Sequence, residues 1–396
     1  MLFMYFGILS TYAQSKQELA KIDSSKYQAR KLKVDEINLV SAYYRQDGNN
    51  SAVTGGIGTE KLSDFANTID LQMSKFNKKG RKNTFQFELG IDHYTSASSD
   101  KIDPSTISSA SSADTRIYPS LNWTQSNEET GNSFGFTGSY STEFDYQSLG
   151  AAFNLTRLSK DKNMQFDFKL QAFLDQWTVI LPIELRTSNS GKGGEQYDTA
   201  PRNSFSASFS LSKVINQKFQ ASLIIEPSYQ KGLLATKYQR DYFTDGSLRS
   251  ETLPDKRYKL PIGLRMNYFL DDRFVIRTFY RYYMDNWGIR AHTAELEIPV
   301  KINSFFSISP FYRYNNQVGT RYFASYGNHS PSAQYFTSDY DLSTLTSDFY
   351  GAGIRFAPPK GVFGWQRLNM LEMRYGHYSR STSLISNIVS LNLKFK

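Results

Sequence analysis

Between residues 84 and 91 the chain reads Thr-Phe-Gln-Phe-Glu-Leu-Gly-Ile, apolar at Phe85, Phe87, Leu89 and Ile91 and polar at Gln86 and Glu88, with Asp92 continuing the polar side. Successive side chains of a β-strand point to opposite faces, so one face of this stretch suits an apolar medium and the other suits water. The same two-residue period returns along most of the chain. It predicts strands over residues 36–46, 62–75, 83–95, 114–125, 133–143, 146–158, 164–175 and 203–213. The series continues over 219–230, 258–269, 274–285, 287–300, 305–315, 348–356, 369–378 and 384–395. That makes about 16 strands, with about 14 to about 18 allowed, and an even number returns both ends of the chain to one side of a sheet. Aromatic-rich apolar faces recurring over such a length predict an all-β fold, a transmembrane antiparallel up-and-down β-barrel.

The connections test this separately. Brief turns fall at 78–80, 129–131, 160–162, 216–217, 271–272, 302–303 and 359–361. The long segments, 47–60, 96–113, 177–202, 231–257 and 316–347, all fall on the opposite end, as the outer loops of such a barrel do. Gly90, Gly138, Pro227 and Pro310, inside strands, are expected to mark bulges or bends. Tyr43, Trp123, Tyr282, Tyr314 and Tyr375 stand where interfacial girdles belong. The last strand alternates to Phe395, resembling a barrel-assembly signal, with Lys396 following it.

Residues 2–10 are apolar and lead into Thr11-Tyr12-Ala13, small residues at the positions a signal peptidase reads, although the usual basic start is missing. The expected division is a signal peptide over 1–13, a polar periplasmic leader over 14–34 and an outer-membrane barrel over 35–396. A buried first strand is the alternative for the apolar start. No cysteine follows it to take a lipid anchor.

Composition narrows the class. With 39% hydrophobic and 15% aromatic residues and a mean hydropathy of -0.50, the chain lacks the runs of roughly 20 apolar residues that helical spans need. An alternating strand has no such requirement. The absence of cysteine suits an oxidising envelope. The net charge of +9 suits an anionic lipid surface or acidic ligands, or serves solubility alone, and no run of like charge resembles a nucleic-acid arm.

Three groups of residues could carry chemistry. The first is the glycine-rich segment 47–60, in which Gly55, Gly56 and Gly58 let backbone pack tightly and Asp47, Asn49, Asn50, Ser51, Thr59 and Glu60 offer oxygen donors. Calcium is conceivable there, without a full EF-hand spacing. The alternative is a loop folded inward as a constriction or plug. The second is His377-Tyr-Ser379 with Asn387, which resembles the His-x-Ser plus Asn arrangement of outer-membrane phospholipases, in which His deprotonates Ser and Asn orients the ring. Arg380 and Ser381 depart from the fuller pattern. Asp92 and His93, being adjacent, must face opposite ways and cannot form a dyad on a strand. The third is the expected lumen set: Gln86, Glu88, Asp92, Lys169, Gln171, Arg265, Arg277, Arg281, Arg355, Arg374 and Lys394. Such charges either form a ladder that fills the barrel or select ions in an open pore, with anions favoured by the later strands.

Residues 43–60, 92–100 and 108–116 are similar to the domain-of-unknown-function (DUF) 3570 family of Gram-negative envelope proteins, most specifically in the first segment. The resemblance implies an outer-membrane barrel, brings no activity or catalytic residues, and hints at envelope protein partners in a redox context. The expectation is therefore a channel or transport-like barrel in contact with outer-membrane lipid, or an envelope scaffold. The alternatives are a closed barrel that recruits proteins through its loops, and the lipase above.

Overall fold

Strands that alternate in this way are stable in an apolar medium only when no backbone edge is left unpaired. In a computed structural model of the chain, which describes residues 31–95, 113–186 and 198–396, closure meets that condition. The strands are β1 (Lys33–Asp47), β2 (Leu62–Phe76), β3 (Lys82–Tyr94), β4 (Asp114–Ser126), β5 (Ser133–Thr142), β6 (Tyr146–Leu158), β7 (Met164–Thr178) and β8 (Thr199–Asn216). They continue with β9 (Phe219–Ile225), β10 (Ser228–Gly232), β11 (Arg240–Tyr242), β12 (Leu248–Ser250), β13 (Lys256–Phe269) and β14 (Val275–Asp285). The rest are β15 (Arg290–Glu297), β16 (Val300–Lys301), β17 (Phe306–Val318), β18 (Leu345–Phe356), β19 (Leu368–Arg380) and β20 (Leu384–Phe395).

β9 and β10 are halves of one strand broken at Pro227, both lying between β8 and β13. β15 and β16 are likewise one strand broken before Pro299, beside β17. Proline has no N–H for the ladder, so each break falls where a donor is missing. β11 and β12 form a separate hairpin within a loop. Counted so, the barrel has 16 strands, as expected, each antiparallel to its neighbours. β1 pairs with β20 from Ile37↔Phe395 to Asp47↔Ile385, and the ring has no open edge.

Outward positions carry the apolar residues: Phe65, Ile69, Phe87, Ile91, Leu121, Leu149 and Leu170 are 39–59% exposed. The buried apolar cluster of Leu234, Ala235, Leu253 and Trp287 belongs to the loops at one end, not to the barrel interior. Some polar groups on the outward face are paired with a cross-strand neighbour, which lowers their cost in apolar surroundings. Ser41 Oγ donates to Asn67 Oδ1 at 2.8 Å, and His93 Nδ1 lies 2.9 Å from Thr115 Oγ1. Asp92 faces inward, opposite His93, and accepts from the Tyr118 hydroxyl at 2.9 Å. Leu121, in mid-strand, has no such remedy for a charge. Leu121→Arg is expected to cost about 2–4 kcal/mol of folding free energy in lipid vesicles, read by denaturant titration; a cost near zero would mean that this face meets water.

Several details differ from expectation. Gly90 and Gly138 sit in regular register, and the register shifts fall instead at Val34/Glu36, Val214/Asn216 and Leu368/Met370. Pro310 lies inside continuous β17, where its carbonyl accepts from Ile298 N beside the break at Pro299. Trp287, expected to open a strand, lies in the β14–β15 turn and is 2% exposed, because its ring packs into the loop cluster. Lys33 and Val34, expected in the leader, already belong to β1. The expected signal peptide, the rest of the leader to residue 30, and segments 96–112 and 187–197 of the long loops lie outside the described residues.

Candidate functional site

The inward faces build a polar wall. Glu88, Asp92, Lys169, Arg277, Arg281, Arg355, Arg374 and Lys394 all fall on it by strand parity. Arg277 Nη1 lies 3.3 Å from Glu297 Oε2, while Arg374 reaches Glu297 Oε1 at 2.9 Å and Glu372 Oε1 at 3.5 Å. Lys394 pairs with Glu36. Residues facing the inside of a solidly packed barrel would be sealed, yet the Arg277, Arg374 and Lys394 side chains are 46%, 38% and 35% exposed. Arg277 and Lys394 stand near the strand ends away from the long loops, so water reaches the wall from that end. Glu36, Asp64, Asp70, Glu88 and Asp92 lie on β1–β3, while β13–β19 carry most of the inward arginines beside Glu295, Glu297 and Glu372.

A repeated device holds those arginines. At inward glycines the neighbouring strand's ring occupies the space a Cβ would take: Tyr118 at Gly90, Phe279 at Gly263, Phe311 at Gly351 and Phe349 at Gly376. The ring therefore lies flat on the wall instead of projecting into the lumen. Each ring also carries a guanidinium, with Arg116 4.9 Å from Tyr118, Arg265 5.4 Å from Phe279, Arg374 5.2 Å from Phe311 and Arg313 4.7 Å from Phe349. Such cation–π contacts are each worth about 0.5–2 kcal/mol and fix the plane of the charge. Arg313 is absent from the sequence-derived set, although its alternation with Phe311 and Asn315 places it on the same face.

Long-loop segments close over one end. The β1–β2 loop and the β10–β13 loop leave the ring eight strands apart, on opposite sides. Arg240 Nη1 nevertheless donates to Val53 O at 3.0 Å, and a Cβ on Gly55 would come within 2.6 Å of the Tyr242 ring. Contact between diametrically opposed loops means that they bridge the mouth. The β17–β18 loop joins them through Gly56, whose Cβ would meet Ser338 O at 2.9 Å, and through the bridges Thr252↔Phe336 and Phe243↔His329. Gly55 and Gly56 have φ of 82° and 84°, a conformation that side chains rarely adopt.

Enclosed in this cap are ionisable groups that no sequence motif signals. Glu251 is 2% exposed, accepts from Thr236 N, and its backbone carbonyl accepts from Lys237 Nζ at 2.7 Å. Burial, reinforced by Asp339 and Asp241, pushes its carboxyl up to about 8. Asp241 and Ser338 approach the same nitrogen of buried His329, Nε2, at 3.3 and 3.0 Å. A proton relay needs the two ring nitrogens to serve different partners, so this trio ties loops together and is no catalytic triad.

The 47–60 segment is part of that cap, which agrees with an inward-folded loop. Asn50 Nδ2 donates to Thr382 O at 2.6 Å, Gly56 N donates to Ser51 O at 2.8 Å, and Glu60 lies 4.0 Å from Arg380, which also binds Asp341. Burial raises the Glu60 carboxyl above the usual range and Arg380 draws it back. Asp47 and Asn49 are exposed, Thr59 Oγ1 accepts from Lys61 N, and Gly58 O accepts from Ser51 N. The oxygen donors thus diverge, and no three acidic, histidine or cysteine side chains gather for a cation among the described residues.

The structure brings together two of the three lipase candidates. His377 Nδ1 lies 3.0 Å from Asn387 Oδ1, which also accepts from the Tyr375 hydroxyl at 2.8 Å. Ser379 is on the same outward face but sits opposite Asp348 and Ile385, and no hydrogen bond joins it to His377 among the described residues. Without that contact, His377 has no route to the Ser379 proton in this arrangement.

Known proteins with related folds are distant. The siderophore receptor PirA from Acinetobacter baumannii is similar at 12% identity and a TM-score of 0.45 over 87% of this chain, and this chain spans 53% of the receptor's length. OprB of Pseudomonas putida gives 9% identity and a TM-score of 0.45, covering 92% of this chain and 94% of OprB. OccK9 (OpdG) of Pseudomonas aeruginosa gives 10% and 0.37, covering 93% and 100%. No curated protein matches in sequence. The model of a family described as protein of unknown function (DUF3570) matches residues 71–381, well over half of the chain, and the protein belongs to that family.

Proposed function

We propose that the protein is an outer-membrane channel whose charged, water-accessible lumen is closed at its loop end by a cap made of its own loops. The single observation behind this reading is inward charge that stays exposed beneath a bridged mouth. A lumen filled for stability alone would bury those side chains, and a scaffold would have no use for water along its axis. The apolar outer belt calls for lipid, and the end bearing the long loops is the extracellular one.

The test is single-channel recording in planar bilayers. Wild-type protein is expected to show small, interrupted conductance that grows as pH rises. The sign follows from Glu251: its carboxyl holds a proton in the closed cap up to about 8, against 4.5 when loosened, so the closed state binds more protons. Closure is strongest below the ordinary carboxylate value and weakens as pH climbs through the window between the two. Glu251→Gln is expected to flatten that dependence. No conductance at any pH, even with the cap removed, would favour a closed barrel that recruits other proteins.

A further inference from the structure

We propose that the outer wall of the barrel carries a binding site for an anionic phospholipid at its turn end, in a cleft between the β2–β3 turn and β6 flanked by Arg81 and Arg157. The site rests on the membrane half of the reading above and is independent of the channel.

The cleft has a volume of about 680 Å³, and its lining includes Lys78, Lys79, Arg81 and Arg157 beside Phe134 and Leu155. That is room enough for a headgroup, since small-molecule sites run to roughly 300–1,000 Å³. Strand parity puts the cleft on the lipid-facing side. Gln125 shares the outward face of Leu121, pairs with Phe134, and Phe134 pairs in turn with Leu155. Asn83 stands opposite Gln125 in the same row, and Arg81 and Arg157 lie two residues nearer the turns than Asn83 and Leu155. The lining therefore divides along the strands, apolar toward the middle of the wall and cationic toward its end. A phospholipid at the bilayer surface divides the same way, its phosphate just outside its acyl chains.

The four cations have no acidic partner of their own. None of their side chains forms an ion pair or hydrogen bond among the described residues. Glu128 and Glu129, on the β4–β5 turn, do not line the cleft, and Asp161 of the β6–β7 turn is held by Ser159 and by Asn163 Nδ2 at 3.0 Å. Elsewhere at this end cations are paired: Lys394 meets Glu36, and Lys82 lies 3.9 Å from Asp35. The apolar half is fixed from behind. Asn83 Oδ1 accepts from Trp123 Nε1 and from Gln125 Nε2, both at 3.2 Å, and the Trp123 ring meets Phe134 edge to face at 5.6 Å. A phosphodiester that brings its own hydrocarbon fits both halves of the lining, whereas inorganic phosphate fits only one.

Native mass spectrometry of the detergent-solubilised protein tests the site, with phosphatidylglycerol and phosphatidylcholine of identical acyl chains as probes and inorganic phosphate as competitor. Wild type is expected to hold one phosphatidylglycerol about tenfold more tightly than phosphatidylcholine, the effect of one or two basic side chains at a lipid surface. Arg81→Gln with Arg157→Gln should remove most of that preference. Lys218→Gln with Arg273→Gln, the same change of charge on the β8–β9 and β13–β14 turns, should leave it intact. Phe134→Ser should weaken both lipids, and a large excess of phosphate should not displace phosphatidylglycerol from wild type. Heat-dependent gel migration checks that each variant is a closed barrel, and Lys78→Gln with Lys79→Gln decides if the arginine variant does not fold. Equal affinity for the two lipids, or equal losses in the two double variants, overturns the site. Displacement by phosphate overturns the lipid assignment in favour of a free anion. Wild type that fails to insert into vesicles of either lipid would remove the membrane reading itself, whereas inserted protein without the preference removes the site alone.

Discussion

Replacing residues 49–59 by a two-residue glycine turn is expected to raise single-channel conductance several-fold and to remove most of the closures. The geometry makes the deletion mild for the barrel. Glu60 N donates to Gly48 O at 2.8 Å, so the two ends left behind are already paired, and short glycine turns connect antiparallel strands readily. What disappears is the half of the bridge that presents Val53 O to Arg240 and Gly55 to Tyr242. The opposing loop then has nothing to meet across the mouth. Arg240→Ala should move conductance the same way by less, because the contacts of Gly55 with Tyr242 and of Gly56 with Ser338 keep part of the cap in place. A channel with the deletion and wild-type conductance would show that the cap does not control passage.

Gly376→Val is expected to destabilise the barrel by about 1–3 kcal/mol or to block folding, because a side chain there drives into a packed ring. A Cβ at this position falls 2.5 Å from the Phe349 ring, and valine's branches leave no rotamer that avoids it. The displaced ring must swing into the lumen and release Arg313 from its face. Phe349→Ala should therefore rescue much of the loss, giving a coupling energy that a double-mutant cycle reads directly. Gly138→Val supplies the contrast: that glycine faces outward with nothing within 4 Å of the added carbon, and its replacement should be close to neutral. Equal losses at both sites would mean that backbone freedom, not the seated ring, explains these glycines.

The barrel was legible because strand parity and loop length are both local properties of a chain. Each outward Phe or Leu declares its face two residues at a time, and by that rule Glu88, Asp92, Lys169 and the arginines share the other face. Parity also explains Arg313, an inward arginine left out, whose neighbours Phe311 and Asn315 already marked its side. The seated rings were not legible: Gly90 and Tyr118 are 28 residues apart and meet only once register is known, so a glycine in a strand suggested a bend. The cap was hidden for the same reason. Asp47 to Glu60 announced tight packing through its glycines, but nothing local names Arg240, Glu251 or His329 as the residues that close with it. His377 and Asn387 were found by parity, whereas the missing link to Ser379 depends on side-chain direction.

The pairing of Ile37 with Phe395 also constrains how the molecule comes into being. The earliest strand waits for the latest, so the ring cannot shut until its C-terminal hairpin is available. Until then every intermediate carries two sticky margins and a greasy flank, and both expose it to aggregation in water. A chain shortened before β20 keeps most of its native neighbours and still loses the one partnership that shuts the ring.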